Sequence, residues 1–100
     1  LSGLAGFKHL KIIKLKGDIM KQGHLINKIN RLIPIAKAVP SSDFTGEEGT
    51  GIWFRGSEEL HGDHLIFNGY TVHPDLEEIL EEAGWFWEPY DMGTLMAYIN

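Results

Sequence analysis

The apolar positions of this chain recur with two different periods, and the change of period separates helices from strands. Over residues 19–33, Ile19, Leu25, Ile26, Ile29, Leu32 and Ile33 share one arc at 100° per residue. Lys21, His24, Lys28 and Arg31 lie on the other side, so the pattern predicts an amphipathic helix. Pro34 ends it, because its ring removes a backbone donor and clashes with the preceding turn. A second helix is predicted over 75–83, where Leu76, Ile79, Leu80 and Ala83 follow i, i+3, i+4, i+7 spacing. Pro74 stands where the first helical residue belongs and Gly84 just past the last.

Elsewhere the period is closer to two. Residues 7–16 carry Phe7, Leu10, Ile12, Ile13 and Leu15 between lysines, a pattern that fits helix and strand alike. Its β-branched content and partial alternation favour a strand, with Gly17-Asp18 as the turn and helix cap that follow. Ile52–Arg55 reads as a short strand. Asn68-Gly69 between two β-rich runs is a two-residue hairpin signal. That turn sets Phe67 against Tyr70 and His64 against His73, and gathers Leu65, Phe67, Tyr70 and Val72 on one apolar face. Trp85–Trp87 and Thr94–Ile99 read as two more strands, joined through 88–93. Residues 40–51 are turn-formers without periodicity and predict a loop.

These elements predict an α+β fold: an antiparallel sheet of four to five strands with two amphipathic helices. The 100 residues are enough for one domain with a real core, and 43% hydrophobic against 23% charged is a globular composition. Trp85 and Trp87 point to one face of their strand and Phe86 to the other. Covering both faces calls for helices on each or for a second copy, so a homodimer is expected.

Charge adds an asymmetry that the pattern alone does not show. Residues 1–40 hold eight Lys/Arg and one acid, a net +7, whereas residues 41–100 hold one base and thirteen acids, a net −12. The single domain over 1–100 is therefore organised as a basic segment (1–40), a loop (41–51) and an acidic sheet-and-helix part (52–100). Asp75, Glu77, Glu78, Glu81 and Glu82 form an acidic face on the second helix. Glu81 and Glu82 sit near its C-terminus, where carboxylates oppose the helix dipole. Retaining them suits an interaction face for a partner with a basic surface, as in inhibitor, immunity or regulatory proteins.

Candidate chemistry is sparse. With no cysteine there is no thiol nucleophile, thiolate metal site or disulfide. Ser41, Ser42 and Ser57 lie outside any nucleophile-elbow motif, and the glycines of 45–56 match neither phosphate-binding fingerprint. Glu58, Glu59, Glu88 and Asp91 supply carboxylates with no distinguishing spacing. No catalytic residue is singled out and no cofactor is expected. The best constellation is His61, Asp63, His64 and His73, two imidazoles brought together by the hairpin with a third and a carboxylate nearby. It supports the alternative of a small metal-dependent or acid–base enzyme. A third reading is nucleic-acid binding through the basic helix 19–33, against which stands a net charge of −5. No apolar run approaches the roughly 20 residues that cross a bilayer, and no secretory signal pattern is present. A cytoplasmic protein with no membrane partner is the expectation.

Overall fold

The computed structural model describes residues 19–99, so the strand expected over 7–16 and the cap at Asp18 lie outside the described residues. The α+β expectation holds. A four-stranded antiparallel sheet is built from β1 (Ala38–Pro40), β2 (Ile52–Phe54), β5 (Trp85–Asp91) and β6 (Thr94–Ile99), in the order β1-β2-β6-β5. A separate two-stranded hairpin joins β3 (Leu60–His61) to β4 (His64–Leu65). Three helices complete the described residues: α1 (Gln22–Leu32), the short α2 (Ser42–Thr45) and α3 (Pro74–Glu82). None is long and apolar enough to cross a membrane.

The period of α1 decides what it buries. Leu25 and Ile29 are fully buried and Ile33, at the C-cap, nearly so, while Leu32 is half exposed. The buried stripe is thus narrower than the six-residue arc. The helix also starts later than expected, at Gln22, because the Met20 backbone is bonded elsewhere. Met20 N–H donates to Ala83 O (2.9 Å), and Trp85 Nε1 donates to Met20 O (2.8 Å). These bonds tie the approach to α1 to the start of β5. After Ile33 the chain makes a 3₁₀ turn over Pro34–Ala36, and Lys37 (φ 49°) takes a left-handed conformation before β1. Asn30 then clamps β1 to α1, its Oδ1 accepting from Ala38 N–H and its Nδ2 donating to Ala38 O.

Strand alternation sorts the sheet into two unlike faces. Ile52, Phe54, Leu95, Ala97 and Trp85 are buried in one cluster with Leu25 and Ile29 of α1 and Leu76, Ile79 and Leu80 of α3. The opposite face carries Trp53 paired with Met96 and Phe86 paired with Tyr98. There α2 lays Phe44 edge-on against Trp53 (4.9 Å) and Tyr90 (4.8 Å). The segment read as loop 40–51 therefore contains one short helix, and it caps part of the outer face. β5 is longer than expected and runs through Pro89 to Asp91, with a register shift between these two residues. It is an edge strand, where a residue without an N–H is tolerated.

The hairpin predicted at Asn68-Gly69 does not form, and this is the main correction. Phe67 bridges Val72 rather than Tyr70, and Asn68 Oδ1 accepts from the N–H groups of Tyr70 and Thr71. The side chain thus closes a four-residue loop in which only Gly69 has positive φ. The two-residue hairpin lies upstream, at Gly62-Asp63, with φ 67° at Gly62. His64 therefore faces His61 across the hairpin, not His73. The expected apolar face also fails. Ile66 and Phe67 are both buried, whereas Leu65 and Tyr70 are exposed. Their backbone explains this, since Ile66 N–H donates to Glu59 O and Phe67 N–H to Ser57 O. These bonds to 57–59 draw both residues into the core.

Ser57 is the polar pin of this region. Its buried Oγ donates to Phe54 O and accepts from Leu95 N–H (3.0 Å). Ser57→Ala leaves the Leu95 donor without a partner in the core, a cost of about 1–3 kcal/mol. Urea denaturation should show that loss, and Ser57→Thr should recover part of it.

Candidate functional site

The functional candidates converge on the start of α3. Residue 73 is its N-cap, with extended backbone (φ −50°, ψ 132°), and Pro74 occupies the first helical position. His73 performs the capping with its ring, because Asp75 N–H donates to His73 Nδ1 (3.1 Å). The other nitrogen lies 2.9 Å from His61 O, a carbonyl that can only accept. The hydrogen-bond pattern thus assigns the tautomer with the proton on Nε2. This nearly buried ring fastens the β3–β4 hairpin to the helix.

His61 faces the same spot from the hairpin. Its Nε2 lies 3.3 Å from Asp75 Oδ2, the one close contact between a basic side chain and a carboxylate among the described residues. The rings of His61 and His73 meet edge to face with centroids 4.8 Å apart, and His64 stands 6.0 Å from His73. One donor atom from each of His61, His73 and Asp75 lies within 4.8 Å of the others. The expected set of His61, Asp63, His64 and His73 is thus brought together only in part. His61 and His73 meet, while His64 and Asp63 stay exposed outside this group. Asp75 takes their place. Its two-residue offset from His73 at a helix start was the available signal, masked because Asp75 reads first as a member of the acidic face.

That acidic face divides into engaged and free members. Asp75 is held by His61, and Glu77 Oε2 accepts from Trp87 Nε1 (3.0 Å). Glu78, Glu81 and Glu82 are exposed and make no ion pair among the described residues. No basic residue lies in the last turn of α3. The basic stripe, Lys21 at the N-cap of α1 with His24, Lys28 and Arg31 on the helix, likewise forms no ion pair among the described residues. The two charged faces therefore do not neutralise each other there.

Beside the acidic face runs a groove of about 600 Å³, lined by Leu60, Asp63, His64, Leu65, His73 and Glu77 among others. Leu60 and Leu65 of the hairpin and Tyr70 of the following loop expose large apolar surfaces. Ser57, by contrast, spends its hydroxyl on backbone groups, and Ser41 is buried. Comparison with known protein families, with curated proteins and with solved structures found no match for this chain.

Proposed function

We propose that this protein is a non-catalytic interaction module that engages a basic partner protein through the outer face of α3 and the groove beside it. The reading is carried by one observation. Glu78, Glu81 and Glu82 stand exposed without an ion-pair partner among the described residues, two of them at the helix end where they oppose the dipole. A basic surface docked there offsets that local cost. The groove supplies the apolar contact such a complex needs, its lining including Leu60 and Leu65 beside Asp63 and Glu77. This chemistry suits an inhibitor, immunity or regulatory role.

Affinity capture from the lysate of the cells that make the protein, paired with a charge-reversed variant, tests the proposal. The wild-type chain should retain a basic protein whose binding weakens as salt rises. The combined Glu78→Lys, Glu81→Lys and Glu82→Lys variant should lose that protein at least about tenfold while keeping its far-UV spectrum. Glu77 is left intact because it holds Trp87. Equal capture by the folded variant would show that the acidic face is not the docking surface.

A further inference from the structure

The imidazoles at the start of α3 are gathered more tightly than a helix cap requires. An asparagine or serine would cap α3 without reaching the hairpin. Instead two rings meet edge to face at 4.8 Å, and a carboxylate oxygen lies 3.3 Å from one ring nitrogen. In a tetrahedral site with bonds of about 2.0–2.1 Å, neighbouring donor atoms stand roughly 3.3–3.4 Å apart. His61 Nε2 and Asp75 Oδ2 already have that separation, and a donor of His73 lies within 4.8 Å of both.

We propose that His61, His73 and Asp75 form a binding site for one divalent transition-metal ion of the zinc type. Two imidazoles and one carboxylate favour zinc, nickel or cobalt over magnesium and calcium, which take oxygen ligands. His61 and Asp75 supply Nε2 and Oδ2, and His73 supplies Nδ1. The ion takes the lone pair that Asp75 N–H uses in the metal-free chain, so one capping bond is exchanged for a ligand bond. The bond from His73 Nε2–H to His61 O is kept, and becomes the outer hydrogen bond that orients a metal-bound histidine. The helix N-terminus opposes a cation, and the Asp75 carboxylate offsets it at the site itself. Asp75 is mostly exposed and a third of the His61 side chain is open, which gives the ion a route in. Three protein ligands leave the fourth position to water or to a group from outside. The site needs neither Asp63 nor His64, and it does not depend on the acidic face binding a protein.

Calorimetric titration of the untagged, metal-free chain with Zn²⁺ and with Ni²⁺ tests this, with Mg²⁺ as the control ion. One Zn²⁺ should bind per chain, with no saturable heat from Mg²⁺. His61→Ala, His73→Asn and Asp75→Asn should each weaken Zn²⁺ binding at least about tenfold, the loss found even for outer partners of metal ligands. Asparagine at 73 keeps the helix cap while removing the imidazole, so lost binding in that folded variant reports the ligand and not the helix. His64→Ala and His24→Ala should change the affinity by less than about threefold, a small fraction of the loss from removing a ligand. Absence of saturable Zn²⁺ binding, or binding that survives His61→Ala and Asp75→Asn, would overturn the assignment. Loss of binding in His64→Ala alone would also overturn it.

Discussion

Phe54→Ala is expected to lower the unfolding free energy by about 3–5 kcal/mol, the range for a buried aromatic ring cut back to alanine. Phe54 is fully buried on β2, with Ala38 of β1 as its cross-strand partner on one side and Leu95 of β6 on the other. With only a methyl group at Ala38, the β1 side has no side chain that could swing into the space. The backbone on both sides is held by ladder hydrogen bonds, so the site cannot collapse and a cavity remains. Urea unfolding followed by Trp fluorescence measures the change. A loss under about 1 kcal/mol would mean that α1 and α3 close over the gap. The consequence reaches the candidate site, because the same β2 backbone feeds through Ser57 into the hairpin that carries His61.

Gly56→Ala should cost about 3 kcal/mol or more, the upper end for overpacking, for a different physical reason. Gly56 is buried and donates its N–H to Ala36 O (2.9 Å), which presses the two backbones together. An added Cβ would lie well inside contact distance of Ile35 O, 2.9 Å from Ile35 C and 3.1 Å from Ala36 C. All three are backbone atoms, so no rotamer change relieves the clash. One backbone must move, and the Ala36 hydrogen bond goes with it. At roughly 4–8 °C per kcal/mol for a chain of this size, the melting temperature should fall by roughly 12 °C or more. A fall of only a degree or two would show that the 3₁₀ turn at 34–36 yields easily. The same displacement shifts the start of the hairpin, so zinc affinity should fall along with stability.

The two helices show how much local pattern can decide. Leu76, Ile79, Leu80 and Ala83 are all buried, as their spacing predicts, and α3 runs from Pro74 with Gly84 (φ 81°) just past its C-cap. Each of these signals acts within one turn of the chain. The strands at 52–54 and 94–99 were legible too, from short apolar runs between turn residues. β1 was not, since three residues ending in proline carry no period of their own. It exists because Asn30 and β2 hold it from both sides. The acidic face was readable as a stripe, but its division into engaged and free carboxylates was not. Trp87 and His61, which engage Glu77 and Asp75, arrive from another strand and from the hairpin.

The histidine cluster marks the same boundary. Composition and spacing were enough to bring His61 and His73 under suspicion and to identify α3, its caps and its charge. Two sequences, Gly62-Asp63 and Asn68-Gly69, were each able to make a two-residue turn, and local propensity favoured the wrong one. The choice fell to nonlocal bonds, from Ile66 to Glu59, from Phe67 to Ser57 and from His73 to His61, together with burial of Ile66 and Phe67 side by side. A β register is a sum over such pairings and cannot be read from the turn alone. The sequence by itself therefore determined the α+β class, the two longer helices and the split of charge between the two parts of the chain. The tertiary structure decided which histidines meet and that Asp75 joins them, because those distances depend on how the hairpin packs against the helix.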